Sequence, residues 1–570
     1  MFRRLDDAKS NFTLPSYVGN KSGGEAICCL AAIVSGSLVG ADQTNPDALN
    51  RLRACQEWFS ESLGVVVNNV GSKNPGGSFW YVVLPGVLFT QIAIQYPEDS
   101  GLDAKLHRMA DRYTEAVIAL GGPDANFNHR GFDFSKNEPL DAGKVFEPDA
   151  AAGIAYIEYA AWKRWHDPKH LEAARWCLDF LERRKPDEGS PLYETLLYYA
   201  PALAAQMNAE HGTHYDVVKL LNWCLGDNRT PRGARPNWGV IARNFGDVEV
   251  YGLQGSTREG DGYAFAMNTF NAAGALAPLV RYVPEFAKPI AKWLTNVAIN
   301  SRLFFPDEVP ANKQSNPEIR AGVLHCVPYE GLREKCRTLL QWRFAGTARG
   351  SADAGIDLLK AKEGNFRCDD HGMLSAAFEV ALPASFVSGS WRIEGRVAHA
   401  GSLFHVRTGS TSNGPWKSAG GFPGSAPEGD GHFIAGGPLP PGNATGSLWL
   451  KIEAAGHHDP GESLALRAPE FRGTLSICPW SSGDNFTDGK GATDLAVYGG
   501  AYIGYLGTVV RSPEQDGVMT FDLSATDFLG NRDSKDLLCY NATSTPRDLT
   551  LRNDLVIHLD PFEASLIHSR

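Results

Sequence analysis

The stretch "GSTREGDGYAFAMNTFNAAGALAPLV" at 255–280 sets Arg258, Glu259 and Asp261 directly before a run of small and apolar residues with helical spacing. Two carboxylates this close raise each other's pKa unless cations intervene, and a carboxyl held partly protonated near neutrality is what general acid catalysis requires. Glu259 is the expected proton carrier of the pair, against a plainer reading as a surface charge paired with Arg258. Asp261 stands where a carboxylate accepts N–H bonds from a first helical turn, so it either caps the predicted helix or serves as a partner acid. The same choice applies to Asp149 in "VFEPDAAAGIAYIEY", ahead of another such run, and Glu330 in "VPYEG" has a similar context. Glu158 and Glu194 read as lying inside apolar helices, where an acid is costly unless partnered. Each would line a cavity or tie two helices together.

Cations and aromatics gather around these acids. Arg229, Arg232, Arg235, Arg243 and Arg258 fall in one link, 227–260, of a protein with a formal net charge of -11. Arginine pairs with carboxylates bidentately, so the link suits an acidic ligand; the alternative is surface balance against Asp227, Asp247 and Glu249. Trp238, Tyr251 and Tyr263 supply rings and hydroxyls in the same region, and "NFNHRGF" adds His129 and Arg130.

Helices must position these residues. Runs rich in Ala, Gly and aromatics at 24–40, 80–96, 148–165, 191–207 and 262–280 are apolar nearly all round and read as buried. Amphipathic charged runs at 46–63, 102–120, 168–184, 215–225 and 284–302 follow them in turn and read as half exposed. The joints "QYPEDSG", "RWHDPKH" and "RYVPEFA" repeat a helix stop and restart. Stacked hairpins with a buried inner set build a solenoid or a closed α/α toroid, and the long links at 121–147 and 227–260 favour the toroid, since they can form one functional rim. After about residue 345, strand-like alternation between Gly/Pro/Ser-rich turns predicts a β-sandwich, and "DLAVYGGAYIGYLGTVV" at 494–510 returns to the inner-helix style. The expected fold is mainly α with added β: an (α/α)6 toroid (1–345, resumed at 481–515), an inserted jelly-roll-like β-sandwich (346–480) and a C-terminal β segment (516–570).

With 570 residues, 43% of them hydrophobic, the chain can bury large cores, and its acidic balance, with a pI near 5.8, argues against a nucleic-acid partner. Ten cysteines form no CxxC pair and no Cys/His ladder, so no metal is expected. "DNFTDGKGATDL" fails as a calcium loop because Phe486 and Leu495 stand at ligand positions. The apolar segment 26–41 is too short to span a membrane and reads as a buried helix, which leaves the compartment unknown. No cofactor is implied, and association between copies is left open.

The segments "REGDGYAFAMNTFNAAGALAPLVRY", "VPYEG" and "LAVYGGAYIGYLGTVV" resemble the helix-start and rim motifs of six-hairpin, (α/α)6-toroid carbohydrate-active enzymes, and among these the bacterial uronic-acid-active glycoside hydrolases of the β-glucuronidase type. The resemblance covers the helical two-thirds of the chain. It implies a carbohydrate substrate and catalysis by rim carboxylates. Two-carboxylate glycoside hydrolysis needs acids facing each other about 5–10 Å apart; the candidates are Glu259, Asp149, Asp261 and Glu330, with Arg258, His129, Arg130, Trp238, Tyr263, Tyr251, Arg243 and Glu194 contacting substrate. A polysaccharide lyase using His129 and tyrosines is the main alternative. A non-catalytic glycan binder and a sugar epimerase are the others.

Overall fold

The computed structural model describes residues 3–4, 12–13, 16, 24–41, 43, 51–141, 145–229, 238–256, 262–310, 313–314, 330–345, 347–352, 367–368, 374–381, 390–397, 403–409, 411, 414–422, 431–438, 447–455, 467–483, 496–511, 515–550 and 556–569. They combine a helical body with several small sheets and divide into two compact units. The first is Met1–Ala311, Glu318–Arg333 and Asp494–Arg570, and the second is Asn312–Pro317 and Glu334–Thr493.

The helices of the first unit are, in chain order, α1 (Ala26–Leu38), α2 (Arg51–Cys55), α3 (Trp80–Gln95), α4 (Ser100–Ala119), α5 (Ala150–Trp165), α6 (Pro168–Arg183), α7 (Tyr199–His211), α8 (Val217–Leu225), α9 (Ala266–Leu276), α10 (Ala287–Asn300) and α11 (Val497–Val509). The apolar members pack in a cycle: α1 on α3, then α5, α7, α9 and α11, with α11 returning to α1. Small residues allow the last two contacts. A Cβ at Gly504 would stand 2.5 Å from the Ser35 backbone, and one at Gly274 would stand 2.6 Å from the Tyr505 ring, so only glycine admits these neighbours. Ser35 Oγ then donates to the Ala501 carbonyl at 2.6 Å, joining residues 466 positions apart.

The amphipathic helices α4, α6 and α8 are capped in the ordinary way. The carboxylates of Asp99, Asp167 and Asp216 accept N–H bonds from the first turns they precede. The acids preceding α1 and α5, Glu25 and Asp149, make no such bond to their own helices.

Three local expectations change. The run at 262–280 opens as a strand, Tyr263–Phe265, and the helix starts at Ala266, because Tyr263, Ala264 and Phe265 pair with Arg333, Leu332 and Gly331. At 191–207 the chain stays irregular until Leu196, with Glu194 in the left-handed region at φ 53°, so Glu194 precedes its helix instead of lying within it. The run at 46–63 ends as helix at Cys55, passes through a short 3-10 turn, and gives way to a hairpin in which Phe59 pairs with Val66.

After α11 the chain builds a four-stranded sheet from Val510–Arg511, Val518–Asp522, Lys535–Asn541 and Ala564–Ser569. Arg281 anchors this segment, reaching Asp527 at 2.5 Å and Asp536 at 2.7 Å. The second unit contains an antiparallel sheet in the order Arg367–Cys368, Leu374–Ala381, Ser447–Ala455, Leu403–Gly409, Lys417–Phe422, and a further run of Gly431–Pro438, Ser390–Val397 and Arg467–Ser482. Among the described residues, no helix is long and apolar enough to cross a membrane, and Cys28, Cys29, Cys55, Cys177, Cys224 and Cys539 are buried free thiols.

Candidate functional site

Relieved of capping their own helices, the acids ahead of the inner helices reach sideways. The Glu25 carboxylate accepts from Ser16 Oγ at 2.6 Å, from Asn68 Nδ2 at 2.8 Å and from the hydroxyl of Tyr498, at the start of α11. Glu147, two residues before Asp149, accepts from Ser78 Oγ at 2.8 Å and from the Trp80 N–H at 2.8 Å, so it caps α3 from the neighbouring hairpin. Asp149, fully buried, accepts from the Tyr193 N–H at 2.9 Å, tying the start of α5 to the loop leading into α7. The Glu194 carbonyl in turn accepts from Asn268 Nδ2 of α9 at 3.0 Å. Glu330 is buried, and its carbonyl accepts the first N–H of α9, from Ala266, at 3.0 Å.

Tyr81, 44% exposed on the first turn of α3, has its phenol pushed above its ordinary value by burial and then by the carboxylates of Glu25, Glu194 and Glu147. The buried Cys28 thiol of α1 is pushed up by burial, Glu25, Cys29 and, more weakly, Glu330. Helix N-termini carry partial positive charge, which is why acids are tolerated there and why an anionic ligand would be as well.

A cavity of about 550 Å³ opens at this end. Glu25, Tyr81, Asn68, Asn74, Ser72 and Arg130 are among its lining residues. Amides, hydroxyls, a phenol, a carboxylate and a guanidinium together offer both donors and acceptors to a polar molecule. Its wall is rigid because two loops interlock behind it: the Phe132 N–H donates to the Gly76 carbonyl at 2.9 Å, and the Phe79 N–H donates to the Arg130 carbonyl at 2.9 Å.

The remaining sequence candidates are placed as follows. His129 is half-buried with Nδ1 at 2.5 Å from Asp141 Oδ1, and its carbonyl accepts from the Glu147 N–H. Trp238 is buried and packs edge-on against Tyr193, which packs edge-on against Trp80, their ring centroids 5.6 and 6.1 Å apart. Tyr263 is fully buried, Tyr251 is exposed, and Arg243 donates to Asn228 Oδ1 at 3.1 Å while lying over the Phe245 ring. Glu158 does not reach the cavity: it bonds Thr114 of α4 and His170 of α6. Arg258, Glu259 and Asp261 lie outside the described residues, as do Arg232, Arg235 and the 484–495 loop. Sequence reasoning missed Glu25, Glu147, Tyr81 and Asn68. Glu25 was open to the rule applied to Asp149, an acid one residue before an apolar helix; Tyr81 carried no local signal.

No family model matches this sequence, and no curated protein matches it. Among solved structures, endoglucanase CelQ from Clostridium thermocellum complexed with cellotriose aligns over 82% of this chain and 85% of its own, at 11% identity and a TM-score of 0.24. The same enzyme complexed with cellotetraose aligns over equal shares at 10% identity and a TM-score of 0.24. A likeness at that score carries no weight for fold or activity by itself.

Proposed function

We propose that this protein is a glycoside hydrolase that removes a terminal sugar, a uronic acid, from an acidic oligosaccharide, and that the cavity beside Tyr81 is its substrate site. The observation that carries the reading is a polar cavity lined by Glu25, Tyr81, amides, hydroxyls and Arg130, in a helical unit whose acids Glu25, Glu147, Asp149 and Glu194 stand ahead of the apolar helices. Two-carboxylate glycoside hydrolysis needs acids facing each other across the bond, which on this reading come from different hairpins, and Arg130 in the cavity lining supports a sugar carboxylate as ligand. On this reading the cycle of inner helices is an (α/α)6 toroid, its acid-bearing end is the rim, and residues 346–480 form an inserted β-sandwich without chemistry of its own. Glu259 supplies the proton and Asp149 is the opposing carboxylate. Asp261 and Glu330 act as supporting acids.

Incubation with uronate-capped oligosaccharides should release the terminal monosaccharide from the first time points. Mid-length fragments appearing first would overturn exo action, and no release from any uronate-capped substrate would overturn the assignment. Glu259→Gln should lower kcat by about 10²- to 10⁴-fold while calorimetry still detects binding; unchanged turnover would remove Glu259 from the mechanism.

One observation favours a second reading, a uronate lyase. The His129–Asp141 pair places a carboxylate on Nδ1, which orients an imidazole as a base. β-Elimination leaves an unsaturated uronate that absorbs in the ultraviolet and hydrolysis does not, so absorbance growing with product would move the assignment to His129 and the tyrosines.

A further inference from the structure

On the outer side of the helical unit, α4 presents His107 and Asp111, one turn apart on one face, toward the start of α6, where His170 is completely buried. His107 Nδ1 lies 3.9 Å from Asp111 Oδ2, His170 Nε2 lies 3.6 Å from Asp111 Oδ1, and one ligand atom from each residue falls within 4.8 Å of the others. We infer that His107, Asp111 and His170 form a zinc site that clamps α4 to α6.

The hydrogen bonding of His170 argues for a metal over an ordinary ion-pair cluster. Its Nδ1 stands 2.7 Å from Glu158 Oε2 and 3.2 Å from Thr114 Oγ1, so the ring proton is held on that side. Its Nε2 has no hydrogen-bond partner although it is buried and faces Asp111. At 3.6 Å the separation is too long for an N–H···O bond, yet close to the spacing of about 3.3–3.4 Å between two ligands each about 2.0–2.1 Å from a tetrahedral zinc. A histidine whose far nitrogen is held by a carboxylate is the usual form of a metal-ligating imidazole, and here the buried Glu158 of α5 is that carboxylate.

Lys169 competes for the site. Its Nζ lies 2.8 Å from Asp111 Oδ1, but it also lies 3.1 Å from Asp167 Oδ2 and is 42% exposed, so it keeps a partner when a cation displaces it. His107 and Asp111 are half-exposed, so their side chains can turn to close the 3.9 Å between them, and the 4.8 Å that bounds the cluster, to ligand spacing. Three protein ligands leave the fourth position to water, and the two helices packed over α5 are joined at that point. Nothing in the arrangement depends on the sugar site.

The test uses full-length, untagged protein stripped with a chelator, titrated with zinc by calorimetry and with cobalt by visible absorption. One zinc per chain should bind, cobalt should give the intense spectrum of a tetrahedral site, and the thermal midpoint should rise by several degrees. His107→Ala and Asp111→Asn, at half-exposed positions that leave the helical circular dichroism unchanged, should each weaken binding at least tenfold. Lys169→Met should bind zinc at least as tightly as the parent protein. The inference is overturned if the folded, stripped protein takes up no zinc, if both variants bind it with parental affinity, or if Lys169→Met weakens binding.

Discussion

Asp149 is the residue whose surroundings most restrict its role. It sits at the start of α5 without capping it, is fully buried, and holds the Tyr193 N–H at 2.9 Å. Asparagine can keep that bond through its amide oxygen while losing the charge. Asp149→Asn should therefore stay folded, with a thermal midpoint near that of the parent, while, if the proposed glycoside hydrolysis holds, kcat falls by about 10²- to 10⁴-fold; a parental kcat would leave Asp149 as a tether only. Tyr81 belongs to the same scale. Burial and the carboxylates of Glu25, Glu194 and Glu147 push its phenol upward, so it is a hydrogen-bond donor throughout neutral and mildly alkaline pH.

Two elements carry separate expectations. Behind the cavity, a Cβ on Gly131 would stand 2.1 Å from the Gly76 carbonyl oxygen, which is backbone and cannot swing aside. Gly131→Ala must move the 68–79 loop or the strand Gly131–Asp133 that follows Arg130, so on the proposed reading KM should rise severalfold, more than the thermal midpoint shifts. An unchanged KM would show that the wall does not contact substrate. In the C-terminal sheet, burial would push the Asp536 carboxyl up, but His568 at 2.9 Å and Arg281 outweigh it and hold the group below its ordinary value. A depressed folded pKa stabilises the fold above the unfolded value of about 3.9 and loses that contribution as pH falls through the lower folded value. Asp536→Asn should thus lower stability at neutral pH and flatten the acid limb below about pH 4 in denaturant titrations; a parental acid limb would rule Asp536 out as its source.

At the scale of the whole helical unit, the cycle of packed apolar helices depends on α11, which arrives more than 200 residues after α9. Gly504 is the contact point, and any side chain there meets the Ser35 backbone. Gly504→Ala should destabilise the protein by about 1–3 kcal/mol, the usual penalty of overpacking, measured by urea unfolding. Parental stability would show that α1 and α11 part without loss.

The sequence by itself determined most of the helical segments and which of them are apolar, because hydrophobic periodicity and turn chemistry act within a few residues; it did not find that the run at 46–63 turns into a hairpin after Cys55. It also marked Asp149 as an acid ahead of an inner helix, since that is a local relation. It mistook Glu194 for a helical residue, and it missed the strand at Tyr263–Phe265, because a left-handed backbone step and pairing to Gly331–Arg333 are set by distant partners. Only the tertiary structure decided that Glu25 meets Asn68 and Tyr498, that Glu147 caps a helix other than its own, and that Glu158 serves His170 instead of the cavity. Those pairings join residues as much as 473 positions apart. What selects such partners is the geometry of helices packed side by side, and no window of sequence contains it.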